Sequence, residues 1–202
     1  MDYSNTKWGL LFPKMTSSED QSTGIYAFTL PGLLGDMLDK AEDLYGARDA
    51  TYTITGTEFF KDAPRIRYFG KDFKRMVFQL KPDCLADEVL ACFQLALLCI
   101  HSLSPCYGKR MTVLHQGLAV HFASVYTQER CNEEMSGGQK DFDDACADVR
   151  ELLEFDPAIV HKVREKQPVF DLMTPNDLKT ACSAVPSDLA EKLVAPFKPR
   201  FF

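Results

Sequence analysis

The chain has 202 residues, 46% of them apolar and 26% charged, with a mean hydropathy of −0.18. Those values exclude disordered, collagenous and coiled-coil classes, and the length suits a single domain with a full hydrophobic core. Lys plus Arg number 23 against 29 Asp plus Glu, giving a formal charge of −6 and a pI of about 5.2. With no basic run, the sequence is not built to hold nucleic acid or an anionic membrane, whose phosphates need clustered Lys and Arg.

Residues 1–29 read as an arm and loop: Trp8, Leu10, Leu11 and Phe12, a polar stretch to Gly24, then Ile25-Tyr26-Ala27-Phe28. From Leu33 the apolar residues Leu34, Met37, Leu38, Ala41, Leu44 and Tyr45 recur at helical spacing, and Gly46 reads as the stop. Residues 50–80 change to period two. Thr51–Thr55 form a strand with a bulge at Gly56, and Ile66–Phe69 and Arg75–Leu80 flank a turn at Gly70-Lys71-Asp72. A small, mostly antiparallel sheet is expected, so that 30–82 makes a helix plus a sheet.

Beyond Leu85 the pattern is helical. An apolar helix capped by Asp83 or Asp87 runs to Ser104-Pro105, and a second covers Met111 to Arg130. These two make a helix pair over 83–131. A third, amphipathic helix holds Phe142, Ala145, Cys146, Val149, Leu152 and Leu153; its acidic residues Asp141, Asp143, Asp144, Asp148, Glu151 and Glu154 form the solvated face. Further helices open at Asp156-Pro157, Thr174-Pro175 and Val185-Pro186, where Pro suits the first turn, and complete the helical segment 139–202. The expectation is one α+β domain over 1–202, strands first and helices after.

The N-terminus has no basic patch followed by an apolar stretch, as a secretory signal would. The longest apolar run, Val89–Ile100, is shorter than the roughly 18 residues of a membrane-spanning helix. The seven cysteines, Cys84, Cys92, Cys99, Cys106, Cys131, Cys146 and Cys182, include no C-x-x-C pair and form neither a disulfide framework nor a thiolate zinc site. A cytoplasmic protein with buried thiols is expected.

The informative stretch is Leu97-Leu98-Cys99-Ile100-His101, followed after a Ser-Pro turn by Val113-Leu114-His115-Gln116-Gly117-Leu118-Ala119. A zinc-peptidase helix places two His one turn apart on one metal, with a Glu beside the first as general base. The two segments resemble the gluzincins, whose H-E-x-x-H helix is followed by a second helix written N-E-G-[LF]-A that carries a glutamate ligand. The resemblance is sharpest over residues 85–130 and implies a zincin-like fold. It also implies an erased site: Leu97 stands for the first His, Leu98 for the base and Gln116 for the ligating Glu, leaving His101 from the motif. No cofactor is expected, because one His does not hold zinc. Metal enters only if His101 and His115 pair, completed by Cys99, Cys106 or His121.

Other chemistries are weaker. Cys99 or Cys106 with His101 or His115 is a conceivable nucleophile–base pair, but burial blunts a thiol. Ser102 and Ser104 lack a G-x-S-x-G context, and Ser136–Lys140 is a loop and cap rather than a phosphate cradle. His121 and His161 read as surface or packing residues. Phe197, Phe201 and Phe202 either dock or tuck into the core. The leading expectation is a non-catalytic, zincin-like domain of bacterial type that binds a peptide or protein partner in its relic groove, lined by Leu97, Leu98, His101, His115 and Gln116. The rivals are a metal-dependent hydrolase built on His101 and His115, and an unrelated structural or oligomerising α+β protein.

Overall fold

The computed structural model describes residues 12–13, 27–28, 30–105 and 111–199. Of the arm, β1 (Phe12–Pro13) and β2 (Ala27–Phe28) pair antiparallel. Cys106, Phe201 and Phe202 lie outside the described residues.

Helix α1 (Leu30–Tyr45) buries Leu33, Leu34, Met37, Ala41 and Tyr45, a stripe at spacings of three and four. It ends as expected at Gly46, whose φ of +91° is costly for any residue with a Cβ and whose N–H reaches Glu42 O at 2.7 Å. Strands β3 (Thr53–Phe59), β4 (Arg65–Phe69) and β5 (Arg75–Leu80) follow, and the pairing of β3 slips between Ile54 and Thr57 around Gly56 (φ +137°), the expected bulge.

The sheet is mixed rather than mostly antiparallel. Its order is β3-β5-β4, with β4 antiparallel and β3 parallel to β5. Two reversals of direction, at 60–64 and at 70–74, leave β5 running the way β3 does. Burial decides which strand sits in the middle. All of Met76–Leu80 in β5 is buried, whereas no residue of β3 or β4 is fully buried, as suits edge strands. The buried Gln79 of β5 is satisfied sideways: Arg65 Nε donates to it at 2.6 Å from one edge, and it donates to Glu58 on the other.

Helix α2 (Glu88–Leu103) packs against β4 and β5. Its cap is Asp87, which accepts from Leu90 N at 2.9 Å; Asp83 instead sits in a 3₁₀ turn at Pro82–Leu85. Helix α3 (Val113–Cys131) returns antiparallel beside it, with His101 against His115 at one end and Cys92 facing Cys131 at the other. Helix α4 (Lys140–Phe155) lies so close on α3 that a Cβ on Gly117 would stand 2.2 Å from Ala145 O. The glycine of the Leu-x-x-Gly-Leu-Ala stretch therefore serves helix packing.

Helices α5 (Ile159–Arg164), α6 (Pro175–Ala181) and α7 (Ser187–Val194) complete the helical half, with a 3₁₀ turn at Phe170–Leu172. Thr174 opens α6 with a reciprocal capping box to Asp177. One acidic residue departs from the expected solvated face. Asp148 is buried and accepts from Lys192 at 2.6 Å, which ties α4 to α7. Among the described residues no helix is long and apolar enough to cross a membrane.

Candidate functional site

The end of α1, the end of α2 and the chain after α5 meet at Arg164. Its guanidinium is buried, and its five N–H groups all donate to main-chain carbonyls. Nε reaches Pro168 O at 3.0 Å, Nη1 reaches Tyr45 O and Gly46 O at 2.9 and 2.6 Å, and Nη2 reaches Ala47 O and Leu103 O at 2.8 and 3.2 Å. Burial pulls its pKa down to about 10, and nearby Glu42 opposes that shift. The guanidinium also lies over the Phe170 ring at 4.7 Å. Arg164 thereby secures the 170–172 turn, which Ser104 Oγ also holds by accepting from Phe170 N at 3.2 Å.

That turn delivers Asp171 to the start of α3. Its carboxylate accepts from Thr112 N at 2.8 Å and meets His115 Nδ1 at 3.0 and 3.2 Å through its two oxygens. His115 is fully buried, lies against Phe170 with centroids 4.9 Å apart, and contacts His101 Nδ1 through its Nε2 at 3.2 Å. Asp171, His115 and His101 thus form one hydrogen-bonded chain. Burial, reinforced by the neighbouring His115 and opposed by Asp171, pushes the His101 pKa down to about 3, so its ring is neutral at neutral pH.

His101 ends the chain at a cavity of about 1020 Å³. One wall is the edge strand β4 with Ala63 and Pro64 before it, and the opposite wall is α2. The loop Met135–Gln139 and the segment Phe197–Pro199 close the remaining sides. Leu97, Leu98, His101 and Gln116 all face this space. His115 stands one layer behind, because its side chain turns to Asp171 and His101. Lys81 N donates to Gln94 Oε1 at 2.9 Å and ties the end of β5 to α2 beneath the cavity.

The residues present do not fit a zinc ion. Zinc draws three or four nitrogen, sulfur or carboxylate donors around one point. Here Leu97 and Leu98 offer hydrocarbon and Gln116 a neutral amide, while the two imidazoles bond in series. Among the described residues no group of three or more His, Cys, Asp or Glu side chains is arranged to hold a metal. Cys99 is wholly buried with its pKa raised by desolvation, so a thiolate nucleophile there is disfavoured. Ser102 donates to Cys99 O at 2.7 Å, and His121 keeps a buried Nδ1 with no hydrogen-bond partner among the described residues. Asp171 was not legible as a site residue: Phe170-Asp171-Leu172 carries no motif, and its partner lies 56 positions earlier.

No protein-family model matches the chain, and no curated protein or solved structure is detectably similar to it.

Proposed function

We propose that the protein acts by binding, holding an extended peptide segment of a partner between β4 and α2 in a relic of a metallopeptidase groove. The observation that carries the reading is the large apolar cavity bounded by a sheet edge on one side and by Leu97 and Leu98 on the other. Among the described residues β4 is an edge strand that pairs with β5, and a sheet edge is where strand addition takes place. Strand addition supplies main-chain hydrogen bonds, and alternate side chains of the guest drop into the cavity; neither step needs a metal. The order of α1, the strands, α2 and α3, with the degenerate motif at the α2–α3 end, supports a gluzincin origin in which hydrocarbon replaced the metal.

A random decapeptide library displayed against the purified chain tests this. Enrichment of sequences with alternating apolar residues, bound by the wild type and lost in Leu97→Asp, is the expected result. Leu97 is only half-buried, so the variant folds, which a urea midpoint checks. No enrichment, or enrichment indifferent to Leu97→Asp, overturns the proposal.

A further inference from the structure

A neutral imidazole has one N–H and one lone pair, so a chain of imidazoles ending on a carboxylate has a direction. An ionised Asp171 accepts only. Its contact with Nδ1 of His115 therefore places a hydrogen there, and with one hydrogen on the ring, Nε2 of His115 is left as an acceptor. His101 Nδ1, 3.2 Å away, is then the donor, and its own lone pair falls on Nε2. That nitrogen has no hydrogen-bond partner among the described residues and is not sealed from solvent, and His101 lines the cavity. Gln116 lines the same cavity, and its side-chain amide has no hydrogen-bond partner among the described residues.

We infer that the cavity selects a hydroxyl borne on an apolar group, a phenol such as a tyrosine side chain, through a lone pair on His101 Nε2 oriented by the Asp171–His115 relay. This rests on the peptide-groove reading and names the side chain that such a guest inserts. The hydroxyl donates to His101 Nε2 and accepts from the Gln116 amide. A phenylalanine in its place leaves a polar nitrogen covered and unpaired, and a carboxylate sets charge against the lone pair. The apolar walls at Phe93, Leu97, Leu98 and Phe142 take the ring in either case.

The probes are p-cresol and toluene, which differ only in the hydroxyl, and the readout is the ring-nitrogen NMR spectrum of ¹⁵N-histidine-labelled protein. The wild type shows His101 with its hydrogen on Nδ1, and p-cresol shifts the Nε2 signal and binds about tenfold or more tighter than toluene. Asp171→Asn reverses the chain. Thr112 N keeps the amide oxygen at the Oδ1 position, so the NH₂ faces His115 Nδ1, and the hydrogen of His101 moves to Nε2. The preference for p-cresol then disappears.

A hydrogen on Nε2 of wild-type His101, as an imidazolium at His115 imposes, overturns the inference. So does equal affinity for the two probes, or absence of p-cresol binding. None of these touches the peptide-groove reading, which stands or falls on Leu97→Asp.

Discussion

Arg164 and His101 sit at opposite ends of one stack. The guanidinium covers Phe170, Phe170 leans on His115, and His115 meets His101 with centroids 5.0 Å apart. At the Arg164 end every donor has a carbonyl, and five main-chain carbonyls accept from one side chain, Leu103 O sharing it with Asp49 N. At the His101 end one nitrogen faces the cavity. The same kinds of group, buried and polar, stabilise where the hydrogen-bond account closes and recognise where it stays open by one atom.

The largest expected effect breaks the closed end. Arg164→Met leaves the carbonyls of Tyr45, Gly46, Ala47, Leu103 and Pro168 without this donor, and a loss of at least about 3 kcal/mol is expected in urea unfolding. It should also release Asp171, so the ring-nitrogen spectrum of His115 should change although position 164 does not touch it. A spectrum unchanged in a folded variant would separate the two ends. Next in size is Gly117→Ala, which crowds Ala145 O and Val149 and should cost about 1–3 kcal/mol by thermal unfolding, with the His101 spectrum retained.

A third effect is spread over pH and belongs to the open end. His101 stays neutral in the folded chain down to about 3 but takes a proton near 6.5 when unfolded. Between those values the unfolded state binds more protons, so this contribution to stability is complete above about pH 6.5 and is lost as pH falls toward 3. The slope from this group is at most about 1.4 kcal/mol per pH unit. Unfolding midpoints followed across that window should fall less steeply in His101→Phe. The smallest effect is that variant at neutral pH, where a ring of similar shape keeps the packing and the unpaired Nε2 of buried His115 should cost about 1 kcal/mol. A loss as large as that of Arg164→Met would mean that His101 is structural rather than poised for a guest.

Local physics made much of the fold legible. Asp87 at the start of α2, Gly46 after α1, Gly56 at the bulge and Thr174-Pro175 at α6 are residues whose own backbone or side-chain chemistry sets an element boundary. The sheet was misjudged because period-two patterning marks strands but not their order: β5, the most buried of the three, takes the centre and pairs in parallel with β3. Asp148 was misjudged for a related reason, since its partner Lys192 arrives from α7. At the site, Leu97, Leu98, His101 and Gln116 line one cavity because α2 and α3, neighbours in sequence, pack side by side. Asp171 and Arg164 were not: neither has a local pattern, and their roles come from carbonyls and an imidazole far away in sequence.

Asp171 reaches His115 across 56 positions, and Phe170 is held by Ser104 across 66. Contacts that close such long loops are slow to form, whereas the α2–α3 hairpin closes over a few residues. An early species holding that hairpin would have its two imidazoles side by side with no carboxylate to orient their hydrogens. Competence at His101 is therefore expected to appear with the final docking of the 170–172 turn, so recovery of its ring-nitrogen signature during refolding would time the last step of assembly.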